Sequence, residues 1–137
     1  MKTIIIFMIV MSLISSISFG YPLIISEKGF NHTQAKELVY SISNRYYKYV
    51  DTITFVNNYA HFKYIDTFGQ KKVWKGWNWV YWDKNHNCFN GKIILSCIDK
   101  KLLIHELCHI AEYCLLKSDY SSETFADNCE LSQLKWN

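Results

Sequence analysis

The sequence predicts a single α+β domain, and three observations predict it. A segment of helical period comes early in the chain. Short runs of β-branched and aromatic residues follow between about residues 51 and 97, broken by Asn and Gly. Two further segments of helical period close the chain, with no repeat or linker between them. The expected order is one helix, a small and mostly antiparallel sheet, and two helices. At 137 residues the chain fits one domain.

Residues 1–20 are expected to lie outside that domain. MKTIIIFMIVMSLISSISFG carries Lys2, then a long apolar run, then Ser18 and Gly20 at the positions a signal peptidase inspects. The run is short for a membrane span, which needs roughly 20 apolar residues. A cleaved secretory leader is therefore expected, with residues 21–137 as the secreted domain and no stable membrane association afterwards. Loss of Lys2 takes the formal charge from +3 to about +2. That charge, with no basic block, argues against a nucleic-acid partner. A monomer is expected.

The first helix is expected over residues 31–50. Asn31 or Thr33 can cap it, and Ala35, Leu38, Val39, Ile42 and Tyr46 recur on one face. DTITFV, residues 51–56, reads as a strand, with Asn57 and Asn58 as a turn. Residues 59–67 alternate again. In residues 75–85, KGWNWVYWDKN, Trp77, Trp79 and Tyr81 share one strand face, and Val80 and Trp82 share the other. A sheet packed on one or both faces is the preferred explanation over a ligand platform. Residues 85–90 read as a polar loop and KIILSC, residues 92–97, as a strand. Helices are expected over 102–116 and 123–134, the latter capped by Ser121 or Ser122, with Glu123 suiting the dipole.

The helix over 102–116 carries the chemistry. His105 and His109 are one turn apart on one face, so their imidazoles can share one tetrahedral ion. Glu106 flanks that ion and can act as a general base. Leu103, Leu107, Ile110, Ala111 and Leu115 mark the helix as buried, where unsatisfied polar groups are costly. A catalytic zinc usually has a third protein ligand. No histidine follows His109, and His32, His61 and His86 have no supporting pattern. Glu112 shares the helix of the two histidines and cannot complete a tetrahedron. Asp119 is close in sequence. Glu123 is far enough along for the chain to turn and pack back, and Asp127 is four residues further on the same face. With Glu123 at the metal, Asp127 would fall behind His105 and accept its other ring N–H.

HELCH followed by SSETFAD, residues 121–127, resembles the gluzincin metallopeptidases, which place Glu-x-x-Ala-Asp or Glu-x-x-x-Asp after their HExxH helix. The resemblance implies one catalytic Zn2+ on His105, His109 and Glu123, with Glu106 as base and Asp127 orienting His105. It implies hydrolysis of a peptide or protein substrate. It also makes Tyr120 a candidate to stabilise the oxyanion, with a surface tyrosine as the alternative and Tyr113 and His86 as further candidates. In such enzymes the substrate lies along a sheet edge; residues 75–90 are the expected edge, with tryptophans lining subsites. KIILS before the helix is similar to the SprT-like minimal zincin domains, which implies a small α+β scaffold. The histidine-glycine motif of that family is missing here, so its activity is not implied. The rival expectation is a secreted, disulfide-stabilised binding protein on a zincin-like scaffold without catalysis. It explains the aromatics but not why Glu106 accompanies the histidines.

All five cysteines follow residue 87, and a secreted context permits disulfides. A strand over 92–97 and a returning helix would bring Cys88 near Cys114. A last helix running back would bring Cys129 near Cys97. Cys88–Cys114 and Cys97–Cys129, with Cys108 as a buried thiol, is the expected pattern. Cys88–Cys97 with Cys114–Cys129 is the alternative.

Overall fold

The computed structural model describes residues 20–57, 63–65, 68–73 and 75–136. The expected leader, apart from Gly20, lies outside the described residues, as does most of the expected strand over 59–67. The domain is α+β, as predicted. Its strands are β1 (Leu23–Ser26), β2 (Val50–Phe55), β3 (Lys63–Ile65), β4 (Lys71–Val73), β5 (Gly76–Trp82) and β6 (Cys88–Leu95). Its helices are α1 (His32–Tyr40), α2 (Lys100–Cys114) and α3 (Glu123–Asn128), with 3₁₀ turns at Asn44–Tyr47 and Leu131–Gln133.

The main sheet has the order β1-β2-β6-β5, and β3 and β4 form a separate antiparallel pair. The pairing corrects the expectation of a mostly antiparallel sheet. β1 and β2 are parallel, β2 and β6 are parallel, and only β5 and β6 are antiparallel. The reason is β1, a four-residue LIIS segment too short to announce itself. With α1 as its crossover, it forms a parallel unit with β2. β6 also begins earlier than expected, taking in part of the supposed polar loop. Gly91 lies where β6 crosses the entrance of β2. Its N–H donates to Tyr49 O over 2.8 Å, and a Cβ there would run into that carbonyl.

Asn31 caps α1 by accepting from Gln34 N–H at 3.1 Å. The helix stops at Tyr40, well short of residue 50. Ser41 ends it: its hydroxyl donates to Leu38 O at 2.6 Å, competing with the backbone ladder. Asp99 caps α2 and Ser122 caps α3. α3 also ends early, because Cys129 is extended (φ −76°, ψ 135°).

One face of the sheet is buried against the helices. Ile53, Phe55, Ile93 and Leu95 meet Leu103, Leu107 and Ile110 of α2 and Val39 of α1. Each such fully buried aliphatic contributes about 2 kcal/mol of hydrophobic stabilisation. The other face is open among the described residues: Leu23, Ile25, Trp77 and Trp79 are all exposed. Among the described residues, the aromatic strand thus packs one face against the core, as Val80 shows.

Two disulfides hold the α2 region. Cys88–Cys114 ties the start of β6 to the end of α2, as expected. The second corrects the prediction: Cys129 pairs with Cys108, and Cys97 is the free thiol. Because α3 is a six-residue helix followed by extended chain, Cys129 is delivered to the middle of α2 instead of its start. These crosslinks are compatible with an extracellular protein. No helix among the described residues is long and apolar enough to cross a membrane.

Candidate metal centre and cleft

α2 is buried through most of its length, yet it carries His105, Glu106, His109 and Glu112 toward the interior. α3 packs beside it and brings a carboxylate over the histidines. Glu123 Oε2 lies 3.1 Å from His105 Nε2, and Glu123 Oε1 lies 3.2 Å from His109 Nε2. The two Nε2 atoms are 3.0 Å apart. Ligand atoms on one tetrahedral zinc are separated by about 3.3 Å. His105, His109 and Glu123 could hold a metal ion together, since one ligand atom from each lies within 4.8 Å of the others.

The outer ring nitrogens explain why the inner ones converge. His105 Nδ1 is 3.1 Å from Asp127 Oδ1, so it carries the proton and donates it to the carboxylate. His109 Nδ1 meets Ser121 Oγ. Ser121 Oγ in turn donates to Glu112 Oε2 at 3.5 Å, and Ser122 N–H donates to the same oxygen at 2.9 Å. With both Nδ1 atoms protonated, two imidazole lone pairs and a carboxylate face one point, an arrangement that could hold a cation. Burial pushes the His109 imidazole below its ordinary pKa, which favours the neutral ligand form, although Glu123 pulls it the other way.

Glu106 is 4% exposed and sits in the adjoining cleft. Asn78 of β5 donates from Nδ2 to Glu106 Oε2 at 2.6 Å. Gly76, two residues earlier on the same strand face, makes room for the other oxygen: a Cβ there would stand 2.7 Å from Glu106 Oε1. Burial raises the Glu106 carboxyl above its ordinary pKa, and the Asn78 bond and His105 oppose that rise. The cleft is about 300 Å³, and Trp77, His109, Tyr113, Ser121 and Glu123 complete its lining.

The structure thus brings together His105, Glu106, His109, Glu123 and Asp127. It does not bring Tyr120 to them. That side chain is 73% exposed and does not line the cleft, whereas Tyr113 does. His86 lies elsewhere, 2.9 Å from Asp119 in the connection after α2. Asn78, Gly76, Ser121 and Glu112 are the residues that the sequence did not assign to the site. Ser121 carried a signal only as one of the two possible caps of α3, and Glu112 only as a third ligand that the helix geometry ruled out. No family model, curated protein or solved structure matches this chain.

Proposed function

We propose that the chain is a secreted zinc-dependent peptidase that hydrolyses peptide bonds with Glu106 as general base. The observation that carries the reading is a trio that could hold a metal ion, His105, His109 and Glu123, beside a buried carboxylate that is no part of it. A structural ion has no use for that carboxylate. Two imidazoles and one carboxylate suit zinc, and three protein ligands leave a position open, as in catalytic centres. Zinc held there would acidify a water and polarise a carbonyl.

The chain's own residues supply the rest. Glu106 takes a proton from the attacking water and returns it to the departing amine nitrogen. Its burial makes it a stronger base than a solvated glutamate. Asn78 fixes its orientation. Asp127 and Ser121 hold the imidazoles in the tautomer that presents Nε2. Tyr113, in the cleft, is better placed than Tyr120 to donate to a developing oxyanion. The two disulfides support a secreted chain.

A second reading, a binding protein on the same scaffold without catalysis, is favoured by one observation, the exposed aromatic face of β5. One experiment separates the two. Residues 21–137 are prepared oxidised, bound zinc is measured, and cleavage of a broad peptide library is followed. Glu106→Gln is expected to keep zinc and lose cleavage. Glu123→Ala is expected to weaken zinc binding by more than about tenfold. Full zinc affinity in Glu123→Ala would refute the ligand set, and a wild type that cleaves nothing would favour the binding reading.

A further inference from the structure

β5 is an edge strand among the described residues, and it borders the cleft. Its ladder with β6 places Gly76 opposite Leu95, hence Lys75 opposite Ser96. Ser96 N–H donates to Lys75 O at 2.8 Å, which makes that a hydrogen-bonded pair. Hydrogen-bonded and non-hydrogen-bonded pairs alternate in an antiparallel ladder. Trp77 and Trp79 therefore direct their backbone groups to β6, while Gly76 and Asn78 turn theirs to the open edge. Those are the two residues in contact with Glu106. An extended peptide pairing with this edge is carried past the Glu106 carboxylate.

The strand period then sets what such a peptide meets. Gly76, Asn78 and Val80 face α2, and Trp77, Trp79 and Tyr81 face outward, each about half exposed. The register shift between Trp79 and Tyr81 puts its extra residue in β6, so β5 keeps its alternation. The Trp79 and Tyr81 rings lie 5.0 Å apart, and Tyr81 stacks on Phe89 at 5.8 Å. The result is an apolar strip that leads away from the cleft mouth at Trp77. An exposed apolar edge is an aggregation hazard unless something is meant to cover it. On an added strand, every second side chain would lie on this strip, with Cβ separations of about 4.5–5.5 Å.

We propose that this strip selects the substrate: an extended peptide with two large apolar side chains, one residue apart, on the same side of the bond to be cut. The proposal rests on the peptidase reading and adds its substrate class. Its test uses the zinc-loaded, oxidised chain and peptides of one length. One set carries Phe at two alternate positions, one carries Phe at two adjacent positions, and one carries Ser at all of them. Cleavage rates are measured on the wild type and dissociation constants on Glu106→Gln. Alternate Phe is expected to win by about tenfold over both other sets. Trp79→Ala should collapse that ratio toward one, and Trp79→Phe should restore most of it, at unchanged zinc content. Cleavage without preference, or equal gain from adjacent Phe, overturns the proposal and leaves the peptidase reading intact. The same preference in binding to Glu106→Gln, with no cleavage by the wild type, sinks the peptidase reading and leaves the strip as a peptide-binding surface.

Discussion

His109 is held at both ring nitrogens, and the outer hold is indirect. Ser121 meets Nδ1, and Glu112 fixes Ser121 through its hydroxyl and the next residue's N–H. Glu112 is 7% exposed, and a buried carboxylate without such partners would cost several kcal/mol. It is therefore a positioning residue, one helical turn past the histidine it serves. Glu112→Ala should lower zinc affinity by about 10- to 100-fold in a chelator competition, with Glu112→Gln intermediate. Unchanged affinity in Glu112→Ala would show that the Ser121 connection does not orient the ring. Gly76 makes the complementary case for the base. Gly76→Ala would push the Glu106 carboxylate off Asn78. Cleavage should fall by about tenfold or more while zinc content stays the same, since a misplaced base loses much of its contribution. Equal loss of zinc and activity would point to a general disruption instead.

Among the elements, α3 is the weak one. It has six residues, too few to be stable alone, yet it carries Glu123 and Asp127. Cys108–Cys129 fastens its far end to α2, next to the histidine-bearing turn. Removing this crosslink should therefore hurt the metal site more than removing Cys88–Cys114. The paired variants Cys108→Ser with Cys129→Ser, and Cys88→Ser with Cys114→Ser, should each lose about 2–4 kcal/mol in urea unfolding. Only the first should also lose most of its zinc affinity under native conditions; equal zinc loss in both would refute the distinction. The same elements show what a sequence can reveal. The 3.6 period of α2 and the i, i+4 spacing of Glu123 and Asp127 are local, so the meeting of His105, His109 and Glu123, with Asp127 behind His105, was legible. The sheet pairing, the Cys108–Cys129 bridge and the Asn78–Glu106 bond depend on where distant segments land. No local period encodes that. α1 and α3 ended early for a different reason: apolar periodicity continued past Ser41 and Cys129, while side-chain competition and an extended backbone broke each helix.

Among the described residues the sheet is closed on one face by helices, and the core beside α1 is pinned by Tyr47. That side chain is 2% exposed in the core, and its hydroxyl donates to Val39 O at 2.7 Å, tying the 3₁₀ turn to α1. Burial, and then the neighbouring Tyr21, raise its phenol far above the ordinary range. The unfolded chain ionises Tyr47 near the usual value of about 10, whereas the folded chain keeps the proton. This contribution to stability is complete below about pH 10 and is lost as the pH rises beyond it, by about 1.4 kcal/mol per unit. Tyr47→Phe has no proton to lose. At pH 7 it should be about 1 kcal/mol less stable than the wild type, because the Val39 carbonyl loses its donor. That deficit should shrink and then reverse between about pH 10 and 12. Urea unfolding of both oxidised proteins at each pH measures it. A deficit that stays constant across the range would mean that Tyr47 is not held protonated by the fold, and that the core around it is wetter than its burial indicates.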